Sequence, residues 1–559
     1  MALVAFHSLA VSPRANCLLG FNYRARPFQN RSCFRLPTST NRPQTGTFNE
    51  RLRFPPNSAS LASTMTAESK HPFTTVIGLE VHVQLQTQTK LFCGCVTTFG
   101  SPPNTQVCPT CLGLPGSLPV MNMRAFDLSL RAALALNCKI ASFTKWGSKE
   151  LLLSRPAKGL SDQPISTAFS YEGYLEVVDP KGALNPRTVR IIRVHLEEDA
   201  GKSMHDETAG TADSRIDLNR TGTPLCEIVT EPDLRSPEEA RAWLNELKLL
   251  LVYLGVSDCN MQEGSLRVDA NVNLHIPQPD GRLAKTPIVE IKNMNSFRSV
   301  ERALVYETER QWGEWQDTGA EIGSMPKQTR GWDDSAGVTR GQRHKEESSD
   351  YRYFPEPDLV PVTVSEEQVA AVRSTMGEPP ALLRKTLAER WDIPAYDADV
   401  LVNQGPELVE YFEDLAKKVG EGKVASNWMQ QDVLRMLNER GGHIADFPVQ
   451  PTAVADIIGR VKKGDFDTGR GKEIFAAVLE TGKPVDEVVA GMGITAVDED
   501  DLQKLCEELI AENPKIVADV KGGKEQAAGG LIGQAKRKNP NVNPGKVRAL
   551  ALELIRALP

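Results

Sequence analysis

"VIGLEVHVQL", residues 76–85, decides how the fold is read. The run is apolar and β-branched, so it builds a strand, and side chains two apart on a strand share a face. Glu80 and His82 therefore look one way while Leu79, Val81 and Val83 look the other. Two further runs alternate in the same manner, "TVRIIRVHLEE" (188–198) and "SLRVDANVNLHI" (265–276). Between them lies "SPEEARAWLNELKLLLVYLG" (236–255), with Ser236 as N-cap, Pro237 in the first turn, Glu238 and Glu239 at the positive end, and Gly255 as the stop. Strands that pair without regular β-α-β spacing predict an α+β domain with an antiparallel sheet.

Composition narrows the rest. The chain has 559 residues, a formal charge of -7 and 25% charged residues, the profile of a globular protein that does not coat nucleic acid through bulk charge. No stretch reaches the ~20 apolar residues of a membrane span. Residues 1–65 differ from the remainder of the chain: Arg14, Arg24, Arg26, Arg31, Arg35, Arg42, Arg51 and Arg53 stand among many Ser, Thr, Asn and Pro with one acid, Glu50. That is the composition of an organelle transit peptide, with a disordered basic tail as the plain alternative.

In "FCGCVTTFGSPPNTQVCPTCLG" (92–113), Cys93 and Cys95 form a C-x-C pair and Cys108 and Cys111 a C-x-x-C pair. Two close thiol pairs on a loop match a four-thiolate zinc site, the alternative being four reduced thiols at a turn. A closed site of this kind holds shape and leaves no position for catalysis. Acids interrupt the other strands: His195, Glu197, Glu198 and Asp199 end one, Glu227 lies in "TPLCEIVTEPD", and Arg267, Asp269 and Asn271 share one strand. "GKS" at 201–203 is no phosphate-binding Walker loop, since the motif requires glycine where Leu196 stands. Converging carboxylates repel and need a cation between them; oxygen ligands with one imidazole suit Mg²⁺, whose usual task is to hold phosphates. Lys202, Arg220, Arg267 and Lys292 are the basic partners available for phosphate oxygens. A Mg²⁺-dependent phosphoryl-transfer site on a sheet is one reading; outward, solvated acids are the other.

"VIGLEVHVQL", "RVHLEEDAGKS", "DLNRTGTPLCEIVTEPD", "MQEGSLRVDANV", "EIKNMNSF" and "DYRYFPEPDLVPV", in this order, resemble the B subunits of the glutamyl-tRNA(Gln) (aspartyl/glutamyl-tRNA) amidotransferases, in their bacterial and organellar forms. The resemblance runs from about residue 74 to the C-terminus. It implies an antiparallel-sheet cradle of glutamine-synthetase type over 70–361 with a zinc-ribbon-like insert at 91–113, a helical domain over 362–450 and an α-helical, tRNA-binding tail over 451–559. It also implies an activity and partners. ATP and Mg²⁺ phosphorylate the side chain of Glu misacylated on tRNA(Gln), and ammonia released by an amidase, the A subunit, displaces phosphate. A small C subunit clasps the other two. Carried over residue by residue, Glu80, His82, Glu198, Glu227 and Asp269 become the metal-site and catalytic residues. Lys521, Lys524, Lys536, Arg537 and Lys538 in the tail become tRNA-phosphate contacts. The leader then points to mitochondrion, chloroplast stroma or both. Two rivals are a zinc-bearing tRNA-binding subunit without the reaction, and a stand-alone amide ligase. Against the first stand the assembled acids; against the second, the lack of any glutaminase triad.

One segment departs from the family. Where relatives read close to D-R-K-N-Y-F-Y-P-D-L-P-K-G-Y-Q-I-S-Q-F, this chain has "GSKELLLSRPAKGLSDQPI" between flanks that fit without a gap. Codons for Gly147 to Ile165 can be chosen so that reading one base later gives the family string. AAA GGG CTA for Lys158-Gly159-Leu160, for example, yields AAG GGC TA. Residues from about Lys145 to Ser170 are thus expected to be an out-of-frame reading, and no site residue is assigned there.

Overall fold

A computed structural model describes residues 72–150, 168–177, 179, 182–205, 214–342, 352–494, 499–539 and 542–558. The expected leader over 1–65 and residues 151–167 of the anomalous segment lie outside these. Ten strands form one sheet. Its row runs Val338–Gly341, Gln328–Asp333, Val289–Lys292, Leu266–Pro277, Thr74–Gln84, Pro224–Thr230, Arg187–Glu198, Ser170–Val177 and Lys139–Ile140, with Leu283–Lys285 paired to Leu266–Pro277 off the row.

The sheet is mixed, which corrects the expectation of a purely antiparallel one. Val289–Lys292 and Gln328–Asp333 run parallel. A parallel pair needs a crossover of a dozen residues or more. The helix Phe297–Thr318 supplies it, opened by Ser296, whose hydroxyl accepts from the Ser299 N–H, and closed by Gly319 at φ 63°.

Alternation along the strands divides the sheet's two faces. Leu79, Val81, Val83, Val194, Ile228, Val268 and Ala270 are buried together with Leu128, Trp243, Leu244, Leu247 and Val300 from three helices. Those helices are Met123–Ala135, Pro237–Tyr253 and Phe297–Thr318. Each of the Val, Leu and Ile side chains contributes about 1.5–3 kcal/mol, so the helix-covered face anchors the sheet and leaves its other face for polar groups. Pro237–Tyr253 begins as the sequence dictates: the Ser236 hydroxyl accepts from the Glu239 N–H at 3.1 Å, and Gly255 at φ 61° follows its end.

After Val362–Thr363 the chain is helical. A second cluster of buried side chains runs from Leu387 to Ile494, crossing residue 450, and a third from Leu502 to Ile555. Helix Pro237–Tyr253 belongs to two of these clusters. Its Leu249 is buried in the second, the Tyr253 hydroxyl donates to the Val402 carbonyl at 2.9 Å, and Arg384 pairs with Glu246 at 3.0 Å and Asp399 at 2.9 Å. Among the described residues no helix is long and apolar enough to cross a membrane.

Candidate metal and phosphate site

Register places the acids. Glu80 lies opposite Asp269, and His82 lies between Arg267 on one neighbour and Glu227 on the other. Glu227 in turn lies opposite His195. Residues directly opposite in an antiparallel pair share a face. All of these therefore project from the face that the helices leave uncovered, with Glu197 beside them two residues past His195.

The His82 Nε2 stands 3.7 Å from Glu80 Oε1 and 3.4 Å from Glu197 Oε1. One ligand atom from each of Glu80, His82 and Glu227 falls within 4.8 Å of the others. Octahedral Mg²⁺ with bonds near 2.1 Å sets its ligand atoms about 3–4 Å apart, so this donor set fits a small hard cation after slight contraction. Burial, and then the charge of Glu227, push the Glu80 carboxyl above its ordinary range, while His82 and Lys292 oppose the rise. Glu197 is pushed up too, by burial first and by Glu227 among its neighbours. Like charges crowded in a partly dry place are short of a cation.

Some positive charge is already present. Arg193 Nη2 reaches Glu227 Oε2 at 3.1 Å. Lys292 bonds Asp269 and lies 3.1 Å from Glu290. Burial, the largest single influence, would lower the Lys292 ammonium; the bonds and charges of Asp269 and Glu290 together outweigh it and hold the group above its ordinary value. Asp199, 4% exposed, gathers two guanidiniums: Arg220 Nε at 3.2 Å and Arg267, whose Nη1 lies 3.2 Å from Oδ1. Two of the expected phosphate ligands, Arg220 and Arg267, thus share one anchor, and Lys292 is held by Asp269, two residues from Arg267 on the same strand. Lys202 is exposed on a small hairpin, opposite Asp217.

The expected metal set is only partly gathered. Glu80, His82 and Glu227 come together; Asp269 is opposite Glu80 but engaged by Lys292. Glu198 is a correction. Alternation puts it on the face of Leu196 and Val194, its Oε2 near Gly222, and Glu197 occupies the position beside His82. The family resemblance carries over Glu198, whereas the strand geometry brings Glu197 to His82. His195, whose burial lowers its pKa, sits opposite Glu227 and fixes that parity; Arg193 and Asp199 were also missed as site members.

The cysteine knot forms as the spacing requires. The Cys93 and Cys111 sulfurs are 3.3 Å apart, those of Cys108 and Cys111 3.7 Å, and all four Sγ atoms lie within 4.8 Å of one another. Zn–S bonds of about 2.3 Å in a tetrahedron place sulfurs roughly 3.8 Å apart, so the four fit the ion. The Cys111 backbone N–H lowers the Cys108 thiol to about 6, whereas burial pushes Cys95 up to about 11. In the tail, Lys536 pairs with Asp467 at 2.5 Å, Lys538 with Glu512 at 2.7 Å and Lys524 with Asp519 at 3.3 Å. Arg537 is exposed, and Lys521 closes the helix Pro514–Lys521.

These features define an α+β domain with a helical extension, and residues 75–370 match the family model described as the GatB/GatE catalytic domain. Residues 410–555 match the GatB domain. The B subunit of the aspartyl/glutamyl-tRNA(Asn/Gln) amidotransferase of Rhodopirellula baltica is 53% identical over 494 residues, 88% of this chain and 99% of that protein. Its counterparts in Moorella thermoacetica and Carboxydothermus hydrogenoformans are each 42% identical, over 86% and 85% of this chain and 98% and 97% of theirs. The chain belongs to the family of aspartyl/glutamyl-tRNA(Asn/Gln) amidotransferase B subunits.

Proposed function

We propose that this chain is the ATP-using subunit of a glutamine-dependent amidotransferase that converts Glu-tRNA(Gln) to Gln-tRNA(Gln). A carboxylate oxygen of the tRNA-borne glutamyl side chain attacks the γ-phosphorus of ATP, and ADP leaves. Ammonia then attacks the acyl carbon of the resulting acyl phosphate, and inorganic phosphate leaves. Both reacting groups of the first step are anionic, so the cost of bringing them together dominates, and fixed positive charge must lower it.

The residues divide that work. Glu80, His82 and Glu227 would hold Mg²⁺, with Glu197 steadying the imidazole; the ion when bound supplies the charge that phosphate oxygens and the glutamyl carboxylate otherwise lack. Arg267, Arg220 and Lys292 orient phosphate oxygens, their side chains preset by Asp199 and Asp269. Zinc at Cys93, Cys95, Cys108 and Cys111 maintains the shape of the 91–113 loop. The sheet and its uncovered face serve as a cradle of the glutamine-synthetase type. The sequence carries no recognisable glutaminase triad, so ammonia comes from an amidase, the A subunit, and a small C subunit completes the complex. The tail lysines meet tRNA phosphates by exchanging their acid partners for them. The leader directs the protein to mitochondria, plastids or both.

The observation that carries this reading is the meeting of Glu80, His82 and Glu227 on one sheet face in a chain of this family. The test reconstitutes the chain with its partner subunits and measures Gln-tRNA formed from Glu-tRNA(Gln). Product should require ATP and fall by at least about a hundredfold in Glu80→Gln. Undiminished product in that variant refutes the assignment.

A further inference from the structure

Among the described residues, Lys90 is the one lysine in the set of largest fully buried side chains, with no exposed surface. Its ammonium carries three protons and finds three acceptors: the Gln106 carbonyl at 2.8 Å, the Leu218 carbonyl at 3.3 Å and the Cys111 sulfur at 3.5 Å. Two are neutral carbonyls and the third is a knot sulfur. A buried cation so placed is costly unless negative charge is near. Glu198, whose charged form the Lys90 ammonium favours, supplies part of it; four thiolates around a zinc ion would carry a net charge of two minus, and Cys111 would bring part of that charge to Lys90 as well.

The acceptors belong to two segments far apart in sequence, which further bonds stitch together. The Gln106 N–H donates to Asn219 Oδ1 at 2.8 Å, Asn219 Nδ2 to the Pro102 carbonyl at 2.6 Å, and the Leu218 N–H to Asn104 Oδ1 at 2.8 Å. The Leu91 N–H reaches the Gly222 carbonyl at 2.7 Å, and the Gly222 N–H reaches the Asp199 carbonyl at 3.0 Å. Gly222 sits at φ 80°, and a Cβ there would lie 3.5 Å from Lys90 Cδ and 3.7 Å from Glu198 Oε2. The backbone therefore threads between the buried lysine and the strand end. Two residues earlier stands Arg220, which pairs with Asp199, the residue whose carbonyl accepts from Gly222.

We propose that Lys90 is a positioning residue whose ammonium fastens the cysteine knot to the 216–223 segment and thereby holds Arg220 and Asp199 at the edge of the acidic face. Its effect on ATP rests on the proposed phosphate-binding role of Arg220; the fastening itself does not.

The test uses Lys90→Met, which keeps the stem and deletes the charge, in the assembled complex loaded with zinc. Amides of 216–223 should exchange with solvent about tenfold faster while those of 387–494 exchange as before. Zinc should pass faster to a chelator, and KM for ATP should rise about tenfold with kcat within threefold. Arg220→Ala should raise KM for ATP and leave zinc release unchanged. Exchange at 216–223 that stays at the wild-type rate, or that rises throughout the chain, overturns the proposal. Faster local exchange in Lys90→Met beside an unchanged KM in Arg220→Ala upholds the fastening and overturns the phosphate role. Should Lys90→Met fail to fold, stripping zinc from the wild-type complex reads the same link: exchange at 216–223 should rise and revert when zinc is restored, and indifference to zinc overturns the proposal.

Discussion

Replacing Glu80 with glutamine keeps the side chain's shape and removes its charge, so it isolates what the carboxylate does for a bound cation. Two unit charges 4 Å apart interact by about 1 kcal/mol in water and about 4 kcal/mol near a protein surface, and a divalent ion doubles both figures. The Glu80 side chain is 30% exposed, which places it toward the water-like end. A loss of about 2–3 kcal/mol results, or roughly 30- to 160-fold in affinity. Titrating the assembled complex with Mn²⁺ and following the EPR signal of the free ion measures this directly. Glu198→Gln is the matched control, because Glu198 lies on the opposite face, and it should shift affinity by less than about threefold. If Glu80→Gln binds like the wild type, the carboxylates are not ligands. If Glu198→Gln shows the loss instead, the assignment of strand faces is wrong.

Three further outcomes are expected. Cys95→Ser should lower zinc content, measured by atomic absorption, from one ion per chain to a small fraction, since three thiolates hold the ion far less tightly than four. Asp233→Asn should destabilise the protein by about 1 kcal/mol at neutral pH, because Asp233 accepts from Arg190 Nη2 at 2.7 Å and from the Arg190 backbone N–H. These bonds to Arg190 hold the Asp233 carboxyl below its ordinary 3.8. The stabilisation is therefore complete above that value and disappears as pH falls through the lowered one, so thermal melts of variant and wild type should converge in acid. Sequencing the transcript across codons 140–175 should give bases that restore the family string one base later; codons incompatible with that shift refute the frame explanation.

Much of this was visible in the residues themselves. Period-two alternation around Glu80 and His82 located the central strand and the two faces of the sheet, and the caps at Ser236 and Gly255 bounded a helix to within a residue. Thiol spacing found the knot. Register was the missing information. Neither of two adjacent glutamates announces which one points toward a histidine on another strand; only the pairing of His195 with Glu227 decides it. The parallel pair escaped for a similar reason, since strand direction depends on where the Phe297–Thr318 helix leaves the chain. Asp199 looked like one more acid at a strand end until folding surrounded it with Arg220 and Arg267. Lys90 had no signature, because its burial comes from segments 16 and 128 residues away.

Helix Pro237–Tyr253, with Trp243 in one core and Leu249 in another, bears on how such chains can be rebuilt. A chain ending near residue 361 would leave Leu249 bare to water and Glu246 without Arg384, so a transplanted N-terminal half would need repair along that helix before it could stand as an independent cassette. Exchanges between relatives should join more cleanly near 495, in the gap between the second buried cluster and the third.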